Sequence, residues 1–515
     1  MKDESDEMDQ ERQAKNLCLK AETVPSFSSQ LNIPLERLKK EVESPETTKM
    51  SNWMSSFRNP ESTFIPSDPQ SAPTLSLTTY NIPPKVEIFK KNVNAIGIDL
   101  GTSRCCVAVS RTHSFETVGI ENNGDRLMPS YISFIDKNDV PQCGQIVVDQ
   151  LKYAAKSTIF DSKRLIGKEF EYIDPDPAWP FELANIDGMA GFQIQSKNGP
   201  MLLTPEEVSA VLLKHIKKEV EKFQGRILSK AIITIPAAFT ESQKQITIKA
   251  AKMAEWSPRL LPEPIAAAFA YFNNHEYEEN STLLLFDLGG GTLDICLFKV
   301  INNSISIINQ SGDSFLGGRD FDNLLFNYFY DRLEHEFGII VRNDEKKKYK
   351  LLAECQKIKH YLSVRNEERL DVDEFALDNG NTILITRKMF EEKAKPLLFK
   401  IRTFVTTILK ESGYQSSQIS KILLVGGGCR MPMIKELLKN KFPDAKQCCE
   451  EQPEEVVAVG AAIHTALSLE AQKRSHIKIH MRCHRHCCLE NFVIIIIIKH
   501  NNPPRPFFLK FTLAF

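Results

Sequence analysis

The chain holds too few cysteines for a disulfide scaffold. Twelve are spread over 515 residues, as neighbours (Cys105 with Cys106, Cys448 with Cys449, Cys487 with Cys488) or singly, with no repeated spacing. Reduced thiols in a reducing compartment are the economical reading. No charge of one sign dominates: 65 Lys and Arg stand against 66 Asp and Glu. That balance argues against nucleic acid as a partner. No apolar stretch is long enough to span a bilayer. The longest near the end covers seven residues, 492–498, against the roughly 20 a membrane helix needs. The opening MKDESDEMDQERQ has no apolar core, so it reads as neither a secretory signal nor a transit peptide. Glycine is absent from residues 1–93, which carry nine of the 27 prolines and little periodicity. That stretch is expected to be a disordered extension. The rest has ordinary globular composition, 42% hydrophobic and 25% charged. A cytoplasmic or nuclear monomer with no membrane partner is expected.

From residue 94 to about 469 strand-like apolar runs alternate with helical patterns, as in an α/β protein. Strands are predicted at 95–99, 105–109, 231–235, 282–287, 294–299 and 421–425. Helices are predicted at 205–223, 240–254, 264–272, 349–363, 390–410 and 433–440. Residues 470–515 break this pattern with a crowded cluster (Cys483, His484, His486, Cys487, Cys488) and five consecutive isoleucines at 494–498. Structural zinc prefers two separated ligand pairs, so the cluster reads as adventitious. The isoleucine run reads as a β-prone, sticky segment.

One plan occurs twice. AIGIDLGTSRCCVAV around Asp99 and LLFDLGGGTLDICLF around Asp287 each give a buried strand, Asp-Leu-Gly, a turn of Gly and hydroxyl residues, and a second strand. The two aspartates lie 188 residues apart, which points to two copies of a lobe rather than a repeat array. Gly101 and Gly289, Gly290 and Gly291 leave no Cβ in the way, so successive N–H groups can form a nest for anionic oxygens. Thr102, Ser103 and Thr292 add hydroxyls. Asp99, Asp287 and Asp294 would repel bare phosphate but suit the hydration shell of Mg²⁺. Either hairpin alone reads equally as a tight turn with a capping Asp. Two of them facing each other would clamp a polyphosphate. A third cluster, LLVGGGCRMP, resembles a phosphate or nucleoside site at a helix N-terminus, although strand–Gly–helix turns are also common packing devices.

The ordered segments IGIDLGTS, FDSKRLIGK, IPAAFTESQ, LPEPIAAAFAY, FDLGGGTLD, LGGRDFD and LLVGGGCRMP resemble the ATPase domain of the heat-shock 70 kDa chaperone family. The likeness covers residues 94–469, about three quarters of the chain. It implies the actin-like ATPase fold, a duplicated ribonuclease H-like α/β architecture with lobes at 94–276 and 277–469 around a nucleotide cleft. It implies ATP or ADP with Mg²⁺ as ligands. Thr102 and Ser103 match the first phosphate loop and Gly289 to Thr292 the second. Asp99, Asp287 and Asp294 would organise the metal's waters and the attacking water. Lys163 matches the family's essential cleft lysine, and Glu263 its cleft glutamate. Lys163, Glu263, Asp287 and Thr292 are the implied catalytic residues.

The nucleoside half departs from the family's pattern. Its adenosine helix usually places Glu, Lys, Arg and Ser, where this chain has Gln356, Lys359, His360 and Ser363. Gly428, beside Gly426 and Gly427, stands where Ser is usual, Arg430 is kept, and Arg104 replaces a usual Tyr. Nucleotide affinity weaker by about 1–3 kcal/mol is expected. The family's Leu-rich acidic linker is not visible, and the 46 residues after Leu469 are too few for its peptide-binding sandwich and lid. The resemblance implies an ATP hydrolase in chaperone systems without its own peptide-binding domain, with J-domain co-chaperones and nucleotide-exchange factors as partners. Two alternatives stand beside it: a catalytically weak, nucleotide-sensing regulator of chaperone partners, and a sugar or acid kinase of the same fold.

Overall fold

The strand Thr282–Leu288 is apolar on both faces. Leu284, Phe286 and Leu288 point into one core, while Leu283 and Leu285 point into another. An unbroken apolar run of this kind suits a central strand covered on both sides. A computed structural model describes residues 79–83, 94–111, 114–121, 124–136, 140–376, 380–449 and 452–475. All of them belong to one unit, Gln70–Phe515.

Two sheets form the body of that unit. In the first, Phe115–Thr117, Arg104–Ser110 and Ile96–Leu100 run antiparallel; Lys230–Ile235 and Ser257–Pro262 then follow in parallel. In the second, Ser304–Asp313, Leu293–Ile301 and Thr282–Leu288 run antiparallel; Lys421–Val425 and Lys446–Cys448 then follow in parallel. These five strands match one for one, so the duplication read from the two Asp-Leu-Gly hairpins extends through five strands of each sheet.

Helix ends follow local chemistry. Thr204 caps Pro205–Gln224 in a capping box with Glu207, and Gly225 ends that helix with a φ of 66°. Thr240 and Gln243 do the same for Glu241–Met253. The helix Val456–Ser475 has no polar face in its first turns. It lies on Ile96–Leu100 and crosses Glu263–Asn274, with Ala458, Ala461 and Ala462 buried. Chain order would put 456–469 in the second lobe, but its packing partners include the first sheet.

The expectation that residues 1–93 carry no structure needs correction at one place. Thr79–Asn81 pairs antiparallel with Ser304–Ser306 at the edge of the second sheet. Tyr80 and Ile82, two apart and therefore on one face, pack into the core shared with Phe298 and Ile305. The remainder of that stretch lies outside the described residues. So does the tail from 476 onward, with its Cys/His cluster and isoleucine run.

Candidate active site

The two hairpin turns meet. A Cβ placed on Gly290 would collide with Ser103 of the first turn, and one on Gly291 would lie 2.8 Å from Thr102 Cγ2. Only glycine permits this approach. The sequence-predicted residues Thr102, Ser103, Gly289, Gly290, Gly291 and Thr292 are thereby gathered into one place, although Gly101 and Gly289 are far apart along the chain. Ser130 Oγ donates to Gly101 O at 2.8 Å and steadies the first turn.

The second turn is tied down on its carbonyl side. Gly289 O accepts from Gly318 N at 2.9 Å and Gly290 O from Arg319 N at 2.8 Å. Gly291 O accepts from Arg164 Nη2 at 2.7 Å. In a trans peptide the C=O and the following N–H point opposite ways. The N–H groups of Gly290, Gly291 and Thr292 therefore face away from Arg164 and the helix Gly318–Phe337, and no protein acceptor for them is seen among the described residues. Three consecutive free N–H groups make an anion nest.

Charged groups line the same space. Lys163 Nζ donates to Glu263 Oε1 at 2.6 Å, and both side chains are nearly buried. Burial alone would pull the Lys163 pKa down, but Glu263 and Asp99 outweigh it and hold it up. Asp99, Asp287 and Asp294 are half-buried. Burial, and then Glu263, pushes Asp99 and Asp294 up to about 7; burial, Glu263, Asp294 and Asp99 together hold Asp287 well above the ordinary carboxylate range. Thr234 Oγ1 donates to Asp99 Oδ1 at 3.3 Å, and the Thr292 side chain hydrogen-bonds Asp294. Four carboxyl groups beside one lysine leave an excess of negative charge, which fits a hydrated divalent cation. Among the described residues no three His, Cys, Asp or Glu side chains converge closely enough to grip an ion directly. Their contacts with Mg²⁺ would run through its waters.

The residues expected to hold a nucleoside are less free than their sequence suggests. Lys359 donates to Gly318 O at 2.8 Å and to Asp322 Oδ2 at 2.9 Å, buried within the second lobe. Ser363 Oγ donates to Lys359 O in its own helix at 3.1 Å. Gln356 is half-buried on that helix, Glu345–Val364. His360 keeps one edge in solvent, yet the protein crowded around it, and then Lys359 and Arg104, push its pKa down to about 4. It is neutral at pH 7. Arg430 is held by Glu454 and by Gln452 Oε1 at 2.9 Å. Gly426 has a φ of 80°, and a Cβ there would strike Leu288 O and Asp287. With Gly428 it lets this cluster, including Gly427, seat against the end of the strand Thr282–Leu288.

Sequence reasoning missed Thr234, Asp161, Arg164 and Arg319. Arg164 sat next to Lys163 inside KRLIG, and Arg319 inside LGGRD; their position in quoted motifs was the available signal. No helix among the described residues is long and apolar enough to cross a membrane.

Comparison with known proteins agrees with this geometry. The family model described as Hsp70 protein matches residues 95–480. The Heat shock 70 kDa protein of Neurospora crassa is 32% identical over 379 residues, covering 72% of this chain and 58% of that protein. Heat shock 70 kDa protein 2 of Paracoccidioides lutzii is 31% identical over 379 residues, covering 72% of this chain and 57% of its own. The chain thus spans a little over half the length of these relatives. By family match, sequence identity and paired phosphate-type turns, the chain belongs to the Hsp70 protein family.

Proposed function

We propose that the chain binds Mg-ATP between its two lobes and hydrolyses it to ADP and phosphate, working with chaperone partners. The observation that carries this reading is the second turn. Its three carbonyls are tied back, its three N–H groups are free, and Thr102 and Ser103 of the opposite lobe stand against it. Such a clamp suits the β- and γ-phosphates. Phosphoryl transfer to water needs little covalent chemistry, so positioning and charge supply the rate.

The chain's own groups divide that work. The N–H groups of Gly290 to Thr292 and the hydroxyls of Thr102 and Ser103 hold phosphate oxygens. The Lys163 ammonium, fixed by Glu263, brings a permanent positive charge to the transferring phosphoryl group. Asp99, Asp287 and Asp294 orient water and accept hydrogen bonds from it. Asp99, Asp287 and Asp294 would hold the water shell of Mg²⁺, which would supply charge neutralisation for the phosphates. Steady-state ATP hydrolysis by the full chain, with and without a J-domain protein, tests the proposal. Turnover above background that rises with the J-domain protein supports it; no turnover at saturating Mg-ATP contradicts it.

A second reading is a nucleotide-sensing regulator that binds without hydrolysing. Its support is the nucleoside side, where Lys359 is already engaged with Asp322 and His360 is neutral. Tight Mg-ATP binding with no single-turnover hydrolysis would select it. J-domain proteins and exchange factors as partners, and a cytoplasmic or nuclear setting, belong to both readings.

A further inference from the structure

Behind the second turn an arginine from each lobe reaches into the other. Arg164, from the first lobe, donates to Gly291 O of the second. Arg319, from the second lobe, forms an ion pair with Asp161 Oδ1 of the first at 3.0 Å, without hydrogen-bond geometry. Asp161 is fully buried and has a φ of 60°. Its other oxygen accepts from Trp179 Nε1 at 3.2 Å and lies 3.7 Å from Arg164 Nη1. The Arg319 guanidinium also rests 4.7 Å above the Phe160 ring. Both arginines leave Nε buried without a hydrogen-bond partner. Apolar residues would fill this volume without that penalty, so plain stability does not explain the network. What it does supply is geometric: both contacts exist only while the lobes are together.

From this we infer that Asp161, Arg164 and Arg319 form a crossed latch. It holds the lobes closed behind the phosphate turn and so slows escape of a bound nucleotide. Arg164 and Arg319 are positioning residues: neither needs to touch the ligand, the Arg164 side chain acting through the Gly291 carbonyl and the Arg319 side chain through Asp161. The effect on nucleotide escape rests on the nucleotide reading above, whereas the effect on lobe closure does not.

The test uses Arg319→Gln, Asp161→Asn and the double variant in the full chain. Fluorophores at Tyr172 and Val364, exposed positions in opposite lobes, report interlobe distance without ligand. Dissociation of a fluorescent ADP analogue with Mg²⁺ reports escape. Arg319→Gln should lengthen the distance and speed dissociation about tenfold, within the usual span of coupling between sites. The double variant should be no faster than the faster single, because both remove one interaction. Arg319→Lys, which keeps the charge, should restore part of the slow dissociation and serves if the neutral variants fail to fold. Unchanged distance and dissociation in Arg319→Gln, or additive effects in the double variant, would overturn the latch. Absence of ADP-analogue binding by the parent chain would instead overturn the nucleotide reading and leave the distance measurement to judge the latch.

Discussion

In the proposed hydrolysis Lys163 is the residue on which the chemistry turns. It is the cation inside a ring of carboxylates, and Glu263 fixes its ammonium. Lys163→Met should reduce single-turnover ATP hydrolysis by about 10²–10³-fold, the usual loss when one fixed electrostatic donor is removed. An unchanged rate would remove Lys163 from the mechanism. The aspartates add a pH dependence with a defined sign. Asp99 and Asp294 titrate near 7 in the folded chain because of burial and Glu263, well above an ordinary carboxylate. In the metal-free protein the folded state therefore keeps protons that the unfolded state releases. These two groups cost nothing at low pH and destabilise increasingly as pH rises from about 4 to about 7. A cation displaces those protons, so Mg²⁺ should raise the melting temperature clearly at about pH 8 and hardly at about pH 5.5. Equal shifts at both values would argue against a cation at these carboxylates. Asp99, Asp287 and Asp294 were legible in the paired hairpins themselves, whereas Lys163 and Glu263 were legible only through the family resemblance. Thr234 and Arg319 were not legible, since their partners Asp99 and Asp161 lie more than a hundred residues away.

At the scale of elements, the hairpin turns owe their meeting to glycine. Gly290→Ala should force the turn off Ser103 and abolish Mg-ATP binding by calorimetry while leaving the far-UV circular dichroism intact, because overpacking of one contact costs about 1–3 kcal/mol. Retained affinity would mean that the turns need not touch. The added edge strand is a separate matter. Ile82 is 3% exposed, so Ile82→Ala should lower the denaturation free energy by about 2–4 kcal/mol; no change in the denaturant midpoint would show that the strand Thr79–Asn81 does not hold the sheet edge. The strands Lys230–Ile235 and Lys421–Val425 could be placed from apolar runs alone, to within a residue. The helix Gly318–Phe337 was overlooked although Phe321, Leu325, Phe329 and Leu333 recur every four residues on one buried face. Its start on two glycines, with no hydroxyl cap, hid it. The start of Val456–Ser475 was hidden for the opposite reason: over residues 456–467 the helix is buried between a sheet and another helix and has no polar stripe to reveal its period.

For the whole molecule, the matching strand orders of the two sheets explain why one sequence plan at Asp99 and Asp287 ends up on opposite sides of a single space. The resemblance carried the fold, since two hairpins alone do not specify which strands join them. Convergence of both turns on one triphosphate is the claim everything else rests on, and amide hydrogen exchange tests it most directly. Gly290, Gly291 and Thr292 hold free N–H groups, and residues 101–104 form the facing turn. Addition of Mg-ADP to the full chain should slow exchange in both turns together. Slowing in neither turn, or in only one, would contradict a shared phosphate site.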